Sequence, residues 1–232
     1  MTNILIVESK NDEIFINKLI ELMNLNNVTI DQPIYIHEYE RLSGLDKTKL
    51  TQALKSLSLN VPKKDIQKVG IIIDQDNYTK QERLDFVNEC INDVFEKSSD
   101  INDVDNLIEV ATKEDNIGLK LGCYFTNIDQ TGELETVLKA IKTQPSPHAD
   151  CLYTWRNCVH KSEIIISDKE FDKFWFSIYL RYDTCSHQES KQAGKKCSMS
   201  EFAYVLEHKS HILDFESSIL DDLKNFLRLF AE

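Results

Sequence analysis

Positive charge is in short supply: 27 Lys and Arg stand against 39 Asp and Glu, a net charge of −12. That balance argues against a stand-alone nucleic-acid binder, because phosphate contacts come mainly from Lys and Arg. It leaves room for an active site that reaches phosphate through metal ions. No apolar run approaches the length that spans a bilayer, and the N-terminus lacks the basic and apolar regions of a signal peptide. The expectation is a soluble, cytoplasmic protein with no membrane partner. No Cys-x-x-Cys pair occurs among the six cysteines, at 90, 123, 151, 158, 185 and 197. Free, mostly buried thiols are therefore expected. His148, Cys151, Cys158 and His160 cluster in sequence, as do Cys185, His187 and Cys197. Neither set has the tight ligand pairs of an ordinary structural zinc site, so packing and loop roles are expected there. No Gly-x-Gly-x-x-Gly follows the first strand and no phosphate-loop lysine motif exists, which sets aside dinucleotide binding and ATP binding by those routes. Internal repeats and low-complexity tracts are absent.

What is present is enough apolar material, 41% of 232 residues, to bury a real core. The length suits one large domain or one domain with an appendage. The organising stretch is Val-Gly-Ile-Ile-Ile-Asp-Gln-Asp-Asn at 69–77. A continuous β-branched run of this kind reads as a strand buried on both faces, as in a parallel sheet covered by helices. It stops at Asp74 and Asp76. Side chains two apart on a strand share a side, so the two carboxylates are expected together, where a cation or solvated cleft relieves their repulsion.

A second apolar run, Asn-Ile-Leu-Ile-Val-Glu at 3–8, is the natural first strand. Ser9-Lys10-Asn11-Asp12 has helix-start character, and a helix with apolar Ile14, Phe15, Leu19, Ile20, Leu22 and Met23 follows. Residues 28–39, around Pro33, read as a strand with an edge or bend that Gly44 closes. A short helix at 47–57 and a loop at 60–64 lead into the central strand. Residues 79–96 read as a helix, and 107–111 and 117–125 as strands across the turn Lys113-Glu-Asp-Asn. A polar loop at 126–132 leads to a helix at 133–141 with acids in its first turn. The alternation predicts an α/β fold with a mainly parallel sheet flanked by helices. Gln144-Pro-Ser-Pro is the one clear break, dividing an α/β domain at 1–144 from a helical C-terminal extension at 145–232. The extension has helices at 149–160, 168–182 and 217–230, and Ser186 to Gly194 is expected to be a mobile polar loop.

With the first strand beside the central one, Glu8, Asp74 and Asp76 converge on a cleft outside the carboxyl ends of the strands, with Asp12 one helical turn away. Ligands of open α/β sheets bind there. Carboxylates at that edge form a hard-oxygen site suited to Mg²⁺ or Mn²⁺. Such ions polarise a phosphoryl oxygen and activate water.

These residues resemble the Toprim (topoisomerase–primase) domain family. The pattern Val7-Glu8-Ser9-Lys10-Asn11-Asp12, a helix, then Ile73-Asp74-Gln75-Asp76 is similar to that family's glutamate after the first strand and Asp-x-Asp after a later one. More closely, the chain resembles a small stand-alone branch related to the Toprim half of overcoming-lysogenization-defect nucleases. Gly132-Glu133-Leu134-Glu135 and Leu213-Asp214-Phe215 are similar to later motifs of that branch. The resemblance is strong over 1–140 and weaker after 145.

It implies a Toprim/Rossmann-like fold and Mg²⁺- or Mn²⁺-dependent phosphodiester hydrolysis or nucleotidyl transfer on nucleic acid. Glu8 would be the general acid/base or a metal-orienting carboxylate, Asp74 and Asp76 metal ligands, Glu135 a further acid at the site, and Asp12 an associated acid. A late lysine would stabilise phosphate charge, with Lys161, Lys169 and Lys173 as candidates. The fused relatives carry an ATPase half, absent here, which implies a separately encoded ATPase partner. Two positions depart from the family pattern: Ser9 stands where glycine is usual, and Tyr78 where a third acid often follows. Apart from the resemblance, Glu133 and Glu135 also suit a helix N-terminus, and Lys10 a solvated surface.

Two other readings compete. A response-regulator receiver needs adjacent acids after the first strand and a lysine closing a late one; Glu8-Ser9 and Tyr124-Phe-Thr-Asn supply neither. The other is a Toprim-like fold kept as a regulatory or partner-binding module with little catalysis, which the net charge and the lack of a basic stripe favour.

Overall fold

The apolar run ending at Asp74 is the centre of a six-stranded sheet with strand order β2-β1-β3-β6-β5-β4. The computed structural model describes residues 2–30, 45–161 and 163–231. The strands are β1 (Thr2–Val7), β2 (Val28–Ile30), β3 (Ile66–Asp74), β4 (Phe95–Lys97), β5 (Ile108–Thr112) and β6 (Gly118–Thr126). Strands β2, β1, β3 and β6 run parallel, whereas β5 and β4 continue the sheet antiparallel. The sheet is thus α/β and mixed, as a hairpin at 112–118 must make it: so short a connection cannot cross over to a parallel neighbour. Part of the strand expected at 28–39, with Pro33 and Gly44, lies outside the described residues.

The chain divides into two compact units, one formed by Met1–Thr126 with Asp221–Glu232, the other by Asn127–Leu220. The division falls at the end of β6 rather than at Gln144-Pro-Ser-Pro, and the last helix belongs with the sheet.

In the first unit, helices α1 (Lys10–Leu22), α2 (Lys47–Ser58), α3 (Val61–Lys64), α4 (Lys80–Val94) and, after the second unit, the C-terminal helix Asp221–Arg228 accompany the sheet. Ser9, Asp46 and Thr79 N-cap α1, α2 and α4, each accepting a hydrogen bond from the third helical amide. One sheet face buries Ile4, Ile6, Val69, Ile71, Ile73 and Phe125 in the same apolar cluster as Leu50, Leu54, Val87 and Ile91 of α2 and α4. Each such side chain contributes about 1.5–3 kcal/mol on burial. The opposite face meets the C-terminal helix through close approach at two glycines. A Cβ on Gly70 would lie 2.8 Å from Phe230 Cζ, and one on Gly122 3.5 Å from Phe226 Cε2. Asn3 Nδ2 donates to the carbonyl of Phe230 at 2.5 Å, tying the first strand to the last turn. The expected loop at 60–64 contains α3, and the helix expected to reach residue 96 stops at Val94, where Phe95 turns extended to begin β4.

The second unit is helical: α5 (Leu134–Ala140), α6 (Pro147–His160), α7 (Asp168–Ile178), α8 (Ala193–Lys196) and α9 (Phe202–Lys209), with the remaining helix of the first unit numbered α10. A π-helical segment, Tyr179–Asp183, extends α7. Its core is aromatic, with Phe171, Trp175, Phe176, Tyr179 and Phe202 fully buried. Tyr179 Oη donates to the carbonyl of Ile212 at 3.1 Å and accepts from the amide of Gln144 at 3.2 Å. The segment 186–194, expected to be a mobile loop, holds a 3₁₀ turn at Glu189–Gln192 and the start of α8.

The expectation of six free thiols is overturned here: Cys185 and Cys197 form a disulfide across a separation of 12 residues. Their Cα atoms lie 5.8 Å apart, within the range that a bridge spans. Cys90 and Cys123 are buried free thiols, and Cys151 and Cys158 are exposed ones. No metal-ligand group forms around Cys151 and Cys158 among the described residues.

Candidate functional site

Parallel pairing of β1 with β3 sets Val7 opposite Ile72, so the residues that follow emerge at one edge of the sheet. Glu8 and Asp74 sit there, 5% and 8% exposed. Glu8 Oε2 accepts the backbone N–H of Asp74 at 3.1 Å, so the first acid is held by the main chain that carries the second. Burying carboxylates is costly unless charge or hydrogen bonds compensate. For Glu8 the amide of Asp74 supplies part of that compensation.

Asp76 reaches the same edge by a route that strand alternation does not describe. Strand β3 ends at Asp74, and Asp76 adopts a left-handed backbone with φ 54°, a conformation that aspartate tolerates better than most residues. The turn brings a carboxylate oxygen of Asp76 within 4.8 Å of one of Asp74. Asp76 Oδ2 is bonded to Arg83 Nη2 at 2.5 Å, with side chains 10% and 4% exposed. Arg83 Nε donates to the carbonyl of Gln75, and its guanidinium lies 4.5 Å from the ring centroid of Tyr78. Tyr78, where a third acid was expected by resemblance, thus serves as a platform for this arginine.

Arg83 is the residue that sequence reasoning missed. One signal was available: a cation in the first turn of α4 opposes the helix dipole and implies a dedicated partner.

Asp12 has a different task. It is the third residue of α1, and its Oδ2 accepts the amide of Ser9 at 2.9 Å and the Ser9 hydroxyl at 2.5 Å. Ser9 Oγ in turn accepts the Asp12 amide at 3.3 Å. This reciprocal capping box explains Ser9 as well. Its backbone is extended at φ −135°, so no glycine is required, and its hydroxyl caps α1.

In the second unit Glu133, 1% exposed, lies directly before α5. Its Oε2 lies 3.2 Å from Lys169 Nζ and 2.9 Å from Lys173 Nζ, one turn apart on α7. Two of the three candidate lysines therefore converge on one carboxylate, while Lys161 is exposed at the end of α6. Glu135 is partly exposed in the first turn of α5. The neighbouring Asp172 accepts from Thr136 Oγ1 at 2.9 Å and from Lys139 Nζ at 2.7 Å. Asp214 of the Leu-Asp-Phe motif ties back to the end of α5, its amide donating to the carbonyl of Ile141 at 2.7 Å.

A family model matches residues 2–232, a span that takes in both units. The chain belongs to the family described as "Protein of unknown function (DUF3226)". No curated protein and no solved structure matches it. Membership in DUF3226 therefore joins the acidic edge of the sheet and the helical unit in one family pattern.

Among the described residues, no helix is long and apolar enough to cross a membrane.

Proposed function

We propose that this DUF3226 protein carries a Toprim-type, Mg²⁺- or Mn²⁺-dependent centre for phosphodiester hydrolysis or nucleotidyl transfer on nucleic acid. The observation that carries the reading is the pair Glu8 and Asp74, both buried and joined by a main-chain hydrogen bond at the carboxyl ends of adjacent parallel strands. Ligands of open α/β sheets bind at that edge. The donor set fits the ion: hard carboxylate oxygens from Glu8, Asp74 and Asp76 suit Mg²⁺ or Mn²⁺, which retain waters and take substrate phosphate oxygens. When bound, such an ion polarises a phosphoryl oxygen and generates a nucleophile from water.

The chain's own residues would divide the remaining work. The amide of Asp74 orients Glu8, placing one carboxylate to hold the ion or move a proton. Arg83 fixes the rotamer of Asp76 and holds its charge next to that of Asp74. Asp12 contributes through the start of α1, by fixing the turn that follows Glu8. The net charge of −12 repels a polyanion at long range, so we propose that a partner, most plausibly a separately encoded ATPase, delivers the nucleic acid.

A second reading has its own support. With Asp76 bound to Arg83 and Asp12 committed to a cap, two of the four acids already serve the fold. That favours a Toprim-like module that binds partners and has little catalysis.

Mn²⁺ titration of the full chain, read by calorimetry, together with an assay on single- and double-stranded DNA at low salt, separates the readings. Saturable Mn²⁺ binding with cleavage, both lost in D74N and E8Q, supports the enzyme. Binding without cleavage, alone or with cell extract as a source of partner, supports the module. No Mn²⁺ binding removes the metal centre altogether.

A further inference from the structure

We propose that the Cys185–Cys197 disulfide of the second unit is a site of reversible thiol exchange, entered at Cys185 by a small thiol such as glutathione, with Cys197 leaving as a thiolate beside Lys209. This site owes nothing to the acidic edge of the sheet. Its two sulfurs have unlike surroundings. Cys185, just beyond the π-helical segment Tyr179–Asp183, is partly exposed, whereas Cys197, at the end of α8, is 2% exposed. A thiolate from solution therefore reaches Cys185 Sγ and not its partner. Which sulfur is attacked decides which one departs.

A cation stands beside the sulfur that departs. Lys209, the last residue of α9, is 6% exposed, and its Nζ donates to Cys197 Sγ at 3.5 Å. The same Nζ lies 3.5 Å from Glu189 Oε2. Both contacts are poor compensation for a buried ammonium, because one is long and the other is to a weakly accepting sulfur. A thiolate at Cys197 gives that ammonium a full counter-charge, and a neighbouring lysine favours thiolate over thiol. A thiol whose anion is stabilised is also the faster leaving group. Cys185, Cys197 and Glu189 bring two sulfurs and a carboxylate oxygen within 4.8 Å of one another. Lys209, in contact with both Glu189 and Cys197, already supplies the positive charge there, so the cluster suits a thiolate better than a bound metal ion.

The exchange balances without an outside oxidant. The attacking R–S⁻ forms a bond to Cys185 Sγ, the bond between the two cysteines breaks, and its electron pair stays on Cys197. The products are a mixed disulfide at Cys185 and a thiolate at Cys197. Return attack by Cys197 restores the bridge and expels the small thiol. Opening releases the 3₁₀ turn Glu189–Gln192 and α8 from their covalent tie.

The test uses the oxidised full chain carrying C151S/C158S, which removes the two exposed thiols. Folded protein is treated briefly with millimolar glutathione, quenched in acid, alkylated in denaturant and mapped by mass spectrometry. The glutathione adduct is expected on Cys185 and the alkyl group on Cys197, with a preference of roughly tenfold or more and an opening rate proportional to glutathione thiolate. K209M should slow opening by roughly threefold to tenfold through a poorer leaving group. E189Q, which removes the competing negative charge near both sulfurs, should speed it. An ion pair with only a structural role gives one sign for both variants, because losing either partner loosens the segment and speeds opening. Adduct spread evenly over the two cysteines, as exchange through the unfolded chain produces, overturns the site. So does a bridge that glutathione does not open in the folded protein, or a folded K209M that opens as fast as wild type. If K209M does not fold, the adduct map and E189Q decide, and an E189Q rate at or below that of wild type overturns the proposal.

Discussion

Arg83 and Asp76 form a buried pair seven residues apart, the arginine reaching from the first turn of α4 to the turn that closes β3. The contact joins the end of the central strand to the helix after it, so the geometry of the acidic edge depends on a residue outside it.

Removing one partner of such a pair strands the other. R83M is expected to destabilise the protein by about 3–5 kcal/mol in urea unfolding, while R83M/D76L should recover much of that loss. Equal stability of R83M and wild type would mean that the pair contributes little, and that Asp76 is held by something else.

Asp12 is expected to act through the helix cap. D12A should cost about 1–2 kcal/mol from loss of the reciprocal bonds to Ser9. D12N, which still offers an accepting oxygen, should cost less. Any Mn²⁺-dependent rise in melting temperature should survive in both. If D12A folds with wild-type stability but no longer responds to Mn²⁺, Asp12 is a ligand and the capping account fails.

The disulfide gives a counting test. Unfolded without reductant, the chain should titrate four thiols, the four free cysteines, and two more after reduction. In the native state only exposed Cys151 and Cys158 should react rapidly. Opening the bridge should cost about 2–4 kcal/mol, visible as a lower melting temperature with reductant. Six reactive thiols without reductant would exclude it.

Alkaline pH should weaken the fold. Burial pushes the Cys123 thiol up to about 12 from an ordinary value of 9.0. Between those values the unfolded chain has lost a proton that the native state keeps, so stability falls as pH rises through this window, by up to about 1.4 kcal/mol per pH unit. Burial also raises Tyr124, next in sequence, and that acts in the same direction. Urea melts at stepped pH on wild type and C123A check this: the variant should have a shallower alkaline slope. An unchanged slope would assign the effect elsewhere.

Much of the fold was legible because its signals are local. The β-branched runs of β1 and β3 each end in an acid, and parallel neighbours necessarily bring those ends together, so Glu8 and Asp74 meet as the residues implied. Asp76 shows the limit. Its carboxylate comes near that of Asp74, but through a left-handed turn, a backbone state that two-residue periodicity cannot express. Strand β4 was hidden because Phe95 continues the apolar pattern of α4 while its backbone turns extended. The pairing of Cys185 with Cys197 depends on a fold in three dimensions, since spacing among six cysteines does not specify partners. The last helix was legible in sequence at 217–230; which surface it covers was not, because its seat on Gly70 and Gly122 lies more than a hundred residues away.

That seat carries a consequence for how the molecule is made. Strands β3 and β6 leave the ribosome early, yet Phe230 and Phe226, which pack over Gly70 and Gly122, arrive only after all of 127–220 has been synthesised. The nascent sheet must therefore wait with an open apolar face, and its last side chains complete what its first residue pairs began, with Asn3 clasping the carbonyl of Phe230. A chain halted anywhere in the second unit would leave the first one unsealed.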